Sequence, residues 1–196
     1  MSISEIIRYV YVTTGIAIIL SVPVFFIRKY YLHKEREVFH WKYKLADVAF
    51  VFYLICLFQI TAFRFGGLGW SFERMMSRTT RVNGMPLVEV INWIQKGVWW
   101  HLFYNVIGNC IWFVPLGLLL PAIYRDYRGR CGRVVFIGMV VSTLIEILQF
   151  VFCTGVTDID DVIFNSLGTA MGYLLWILFD KTRRFIKRVI LEKEQE

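Results

Sequence analysis

Residues 134–152 read VVFIGMVVSTLIEILQFVF, a run in which Glu146 is the one charged group. A bilayer core about 30 Å thick needs about 20 residues of helix to cross it, with roughly 17–25 tolerated. Working outward, the same pattern repeats. Upstream, 28 uncharged residues separate Lys96 from Arg125, 16 separate Asp47 from Arg64, and 19 separate Arg8 from Arg28. Downstream, 18 separate Asp161 from Asp180. Five spans follow, over about residues 9–27, 45–63, 102–120, 134–152 and 162–179. The expected fold is all-α, a polytopic membrane helical bundle forming a single domain over residues 1–196. With 57% hydrophobic and 19% charged residues, the chain is too apolar for an ordinary soluble domain.

The net charge of +7 does not point to nucleic acid, because the basic residues are divided among loops. Sixteen of the 22 Lys and Arg fall in residues 28–44, in 125–133 and in the tail from Lys181. Six fall in the remaining loops and the N-terminus. Basic loops stay cytoplasmic, so the N-terminus is expected outside and the C-terminus inside. The basic cluster at Arg28 and Lys29 follows the first apolar run. A cleavable signal would have it in front, so the first helix is expected to remain. Cys56, Cys110, Cys131 and Cys153 have no CxxC or Cys/His spacing, which reads as apolar thiols, not as a disulfide framework or zinc site.

Residues 85–100 have a pattern of their own. Pro86 suits a first helical turn, and Leu87, Val90, Ile91, Ile94 and Val98 recur at helical spacing, with Trp93, Trp99 and Trp100 alongside. The segment reads as an amphipathic helix at the membrane surface or as one packed on the ends of the bundle.

Polar residues within the spans carry the functional signal. His101, Asn105 and Asn109 recur every fourth residue and share a helix face; Glu146 and Gln149 lie in the fourth span and Asn165 in the fifth. At ~1.5 Å per residue, Asn109, Glu146 and Asn165 are expected at similar depths in the outer leaflet. A carboxylate near a helix centre costs about 2.5–3.5 kcal/mol on insertion scales, so Glu146 is expected to face the bundle interior. Gly138, Ser142 and Glu146 lie four apart, and Gly168 and Gly172 form a GxxxG step suited to close helix packing. Pro115 predicts a kink just below Asn109.

The turn over residues 154–161 adds Asp158, Asp160 and Asp161. Clustered carboxylates suit a hard cation such as Mg²⁺ or Ca²⁺; alternatively, Asp160 or Asp161 caps the fifth helix. The plain reading of Asn105 and Asn109 is interhelical hydrogen bonding, that of Glu146 a buried structural acid, and that of His101 an interfacial side chain.

The segment Asn105-Val-Ile-Gly-Asn109, continuing through Phe113-Val-Pro115-Leu-Gly117 to Pro121, resembles the first signature of the VanZ-like family. Ser142 to Gln149, followed by Asp158-Ile-Asp160-Asp161-Val-Ile-Phe-Asn165-Ser-Leu-Gly168 and Gly172-Tyr173, resembles the second. Gly155-Val-Thr-Asp158 departs from the pattern in lacking the arginine many members carry before the first aspartate, so no role for that residue is carried over. The resemblance implies a membrane protein of the cell envelope. Most members come from Gram-positive bacteria, and the founding member is linked to resistance to teicoplanin, a lipid-tailed glycopeptide.

Three functional readings follow. In the leading one, Asn105, Asn109, Glu146, Gln149, Asp158, Asp160, Asp161 and Asn165 form an outer-leaflet pocket that binds a lipid-linked cell-wall precursor or the lipoglycopeptide, with membrane lipids as surroundings. In the second, the chain is an intramembrane enzyme acting on a lipid-linked pyrophosphate, with Glu146 as general acid or base. In the third, it transports lipid or ions, which five helices would support best as a homo-oligomer. No HExxH, GxSxG or Walker-type loop is present.

Overall fold

The computed structural model describes residues 41–62 and 82–193. The expected first span, residues 28–40 of its basic loop and residues 63–81 lie outside them; Lys42 and Lys44 of that loop fall within the first described helix. The described chain is all-α apart from two short strands: α1 (Trp41–Thr61), β1 (Val82–Asn83), α2 (Val88–Gln95), α3 (Trp99–Leu102), a π-helical turn (Phe103–Ile107), α4 (Gly108–Ile123), a 3₁₀ turn (Arg125–Tyr127), α5 (Cys131–Phe152), β2 (Thr157–Asp158) and α6 (Ile159–Lys193). β1 and β2 pair in a two-stranded ladder. Among the described residues, three helices are long and apolar enough to cross a membrane: Trp99–Ile123, Cys131–Val151 and Ile159–Glu192. The apolar part of α1, Leu45–Thr61, is shorter.

The chain forms two compact units. In the first, whose described residues are 41–62, 82 and 145–157, α1 packs through Phe50 and Leu57, and its C-terminal carbonyls are taken up by side chains. Gln149 Nε2 donates to Thr61 O at 3.0 Å, and the Thr154 hydroxyl donates to Ala62 O. These are groups that a helix end leaves without an internal partner.

The second unit contains residues 83–144 and 158–196, and its architecture is set by glycine. A Cβ added at Gly168 would run into the Cys110 carbonyl, and one at Gly172 into the Val114 carbonyl. From the other side, a Cβ on Gly117 would meet the Thr169 carbonyl. The GxxxG step therefore lies against the backbone of α4, and α4 answers with a glycine of its own. Such proximity permits Cα–H···O contacts and dense packing where lipid supplies no hydrophobic drive. Contacts advance from Cys110 to Val114 as they advance from Gly168 to Gly172, so α4 and α6 run parallel. Two helices separated by one returning span, α5, should do so. The first part of α5 runs antiparallel to α6: Gly138 lies against Thr169, and Ser142 against Asn165.

Several local expectations are corrected. The amphipathic segment is not one helix over 85–100: it begins at Val88, past Pro86, and ends at Gln95, with Lys96 as its C-cap. Gly97 has φ +67°, its N–H bonds Ile94 O, and the Val98 N–H bonds Trp93 O. This is a Schellman ending, and it frees Trp99 and Trp100 to start the next helix. Pro115 lies inside α4, and a π-helical turn, Phe103–Ile107, precedes Asn109. α6 runs on to Lys193, because nothing after Asp180 breaks it: no Gly or Pro occurs there.

Candidate functional site

The second unit gathers most of the polar candidates around the start of α6. Asp158 immediately precedes this helix, and its Oδ1 accepts the Asp160 N–H at 2.9 Å. That is the bond an N-capping side chain makes to the second helical residue. The cap is thus Asp158, not Asp160 or Asp161, and the Asn83 amide holds it by donating to both carboxylate oxygens at 3.2 and 3.1 Å. Asp160 and Asp161 occupy the first turn, where negative charge complements the helix dipole. Each has its own partner. Asp160 Oδ1 accepts the Leu87 N–H at 2.7 Å, and Asp161 accepts a hydrogen bond from the Asn109 amide of α4. Among the described residues no group of three His, Cys, Asp or Glu is arranged to hold a metal ion; the three aspartates are directed to three separate partners.

One turn further along α6, Asn165 donates to Ser142 Oγ of α5 at 2.8 Å, and its carbonyl accepts from the Thr169 hydroxyl at 2.9 Å. Asp160 and Asn165 are each 4% exposed. One oxygen on each, Asp160 Oδ2 and Asn165 Oδ1, is buried with no hydrogen-bond partner among the described residues. Cys110, next to Asn109, donates to Phe164 O at 3.2 Å. Side chains from α4, α5 and α6 therefore converge where the glycine-mediated contact begins.

Asn109 and Asn165, expected at similar depth, lie about one helical turn apart along the axis, since Asn165 follows Asp161 by four residues on α6. Asn109 is ten residues into the Trp99–Ile123 helix, yet it meets Asp161, the third residue of α6. The helix starts are staggered by about 12 Å at ~1.5 Å per residue.

Asn105 does not share this site through a hydrogen bond of its own amide: Nδ2 donates to His101 O one turn back. The intervening π-helical turn advances less per residue than an α-helix, which breaks the common face drawn through His101, Asn105 and Asn109. His101 lies instead beside Trp93, with ring centroids 6.3 Å apart.

Glu146 and Gln149 belong to the first unit, both buried. The Glu146 carbonyl accepts from the Thr157 hydroxyl at 3.4 Å, and the Gln149 amide is engaged with the end of α1. Asp47 is buried at 6% exposure inside α1. Its position three residues before Phe50 on an apolar helix was the available signal for a buried carboxylate.

Residues 50–180 match the VanZ/LLP1 family. The chain belongs to that family. It is similar to Protein VanZ of Enterococcus faecium, with 38% identity over 91 residues, covering 45% of this chain and 55% of that protein. The match thus spans about half the length of this curated relative. No solved structure matches. The Asn109–Asp161 bond joins the first family signature to the second, which gives the two separated motifs a common physical basis.

The Asp158 cap provides a direct check on this geometry. Asp158→Ala removes the capping acceptor and the partner of Asn83, and a lost cap costs about 0.5–2 kcal/mol. The expected result is a melting temperature lower by a few degrees in detergent, with Asp158→Asn retaining most of the stability. Equal stability of parent and Asp158→Ala would show that α6 does not start on this residue.

Proposed function

We propose that this chain is an envelope membrane protein that lowers susceptibility to teicoplanin-like lipoglycopeptides by binding, in the outer leaflet, a lipid-anchored cell-wall precursor or the antibiotic itself. The observation that carries this reading is the convergence of Asn109, Asp160, Asp161 and Asn165 in one unit, with acceptor oxygens of Asp160 and Asn165 unspent. Buried acceptors left without partners are costly, and amide and hydroxyl groups of a peptide- or sugar-bearing lipid would supply donors. The VanZ/LLP1 membership, the apolar helices and the clustering of basic residues in residues 28–44, 125–133 and the tail support the same reading.

The test is a teicoplanin susceptibility assay in a Gram-positive host producing the chain, comparing parent with Asp161→Asn at matched protein levels. Asparagine keeps an acceptor for Asn109 but removes the charge. The expected outcome is protection by the parent and its loss in the variant. No protection by the parent, or full protection by a well-produced Asp161→Asn, would overturn the proposal.

A further inference from the structure

We propose that α2 is a bilayer-docking element: it lies in the head-group region beside the entry of the Trp99–Ile123 helix, with Leu87, Val88, Ile91 and Ile94 turned into phospholipid. None of its eight residues is buried, and these four, with Met85, are exposed apolar side chains. The other edge is held by the protein. Glu89, Val90 and Trp93 are half-buried, Trp93 stands beside His101, and the chain entering α2 is tied to α6 by the Leu87–Asp160 bond.

The occupant of the free face follows from what α2 is joined to. The three residues Lys96–Val98 separate it from a helix of 25 residues long enough to span a bilayer. Trp99 and Trp100 begin that helix at 54% and 76% exposure, and indole rings partition to the membrane–water boundary. The Schellman ending at Gly97 turns the chain within those residues, which keeps α2 beside the boundary its neighbour enters. A helix of eight residues is about 12 Å long, short enough to lie wholly within that zone. An apolar stripe confined there is covered by acyl chains, as in other interfacial amphipathic helices. The inference holds whichever ligand the polar cluster takes.

The test places a photoreactive benzoylphenylalanine at Ile91 in one form of the full chain and at Lys96 in another. Lys96 is exposed and about 140° around the helix from Ile91 at 100° per residue. Both forms are irradiated in native membrane vesicles, and adducts are identified by mass spectrometry. Both positions are exposed, so both forms should fold. Phospholipid adducts at Ile91 are expected to exceed those at Lys96 roughly tenfold. A crosslinked dimer at Ile91 would assign the face to a second copy of the chain. An intramolecular crosslink would assign it to the bundle. Equal lipid labelling at the two positions would show no preferred face. Each of these three outcomes overturns the proposal.

Discussion

Gly172→Leu is expected to abolish accumulation of folded protein. At this position even a methyl group would collide with the Val114 carbonyl, and the backbone around Leu118 is next in line. Neither obstacle is the flexible end of a side chain, so relief requires α4 and α6 to move apart. Separation would also break the contacts of Gly168 with Cys110 and of Gly117 with Thr169, and it would pull Asn109 away from Asp161. Overpacking commonly costs about 1–3 kcal/mol when side chains can yield. Here the cost should reach the upper end of that range or exceed it, a large share of the ~5–15 kcal/mol that holds an ordinary domain together. Fluorescence-detected size-exclusion of detergent extracts should show loss of the monodisperse peak. Gly108→Ala and Gly132→Ala are the controls, since nothing lies within 4 Å of a Cβ at either helical position. They should leave the peak intact or gain roughly 0.5–1 kcal/mol from the better helix former. A Gly172→Leu protein as stable as its parent would mean that α4 and α6 do not approach as described.

The same helix pair shows what the sequence can disclose. The existence of α4, α5 and α6 follows from uninterrupted apolar length, a property each segment carries by itself. The GxxxG face is also local: Gly168 and Gly172 announce a close approach without naming the partner. That the partner carbonyls belong to Cys110 and Val114, and that Gly117 completes the contact, depends on the stagger of two helices whose ends are set elsewhere. Gly97 in αL and Asp158 at the cap set those ends. Gly97 after Lys96 was a readable stop signal that the apolar stripe of residues 85–100 obscured. The cap was not readable, because Asp158, Asp160 and Asp161 offer three carboxylates in four residues and only the first helical residue, Ile159, selects among them. Asn109 and Asp161 were identifiable as polar groups in apolar surroundings, but their pairing was not. Helical spacing groups Asn105 with Asn109, because α-helical periodicity does not anticipate a π-helical turn.

Alkaline phosphatase fused after Arg130 is expected to be inactive, and fused near Gly155 active. The enzyme works only when exported, so it reports the side on which each loop lies. The prediction rests on sixteen basic residues in residues 28–44, 125–133 and the tail, against six in the remaining loops and the N-terminus. Arg128 also has a local reason for its place: its guanidinium donates to Pro121 O at 3.0 Å and Ala122 O at 3.2 Å, satisfying the end of α4. The basic residues after Asp180 continue α6 without a break, and Lys181, Arg183, Arg184, Lys187 and Arg188 are all exposed. Burying five such side chains in hydrocarbon would cost far more than reversing any loop, so this end of α6 stays at or beyond a membrane surface. On the predicted topology the start of α6, with Asp158, Asp160 and Asp161, takes the opposite surface. Because α4 and α6 run parallel, Asn109 accompanies it. An active fusion after Arg130 with an inactive one near Gly155 would move the whole cluster to the cytoplasmic leaflet. There it could not meet an antibiotic arriving from outside, and the proposed binding of teicoplanin-like molecules would fall with it.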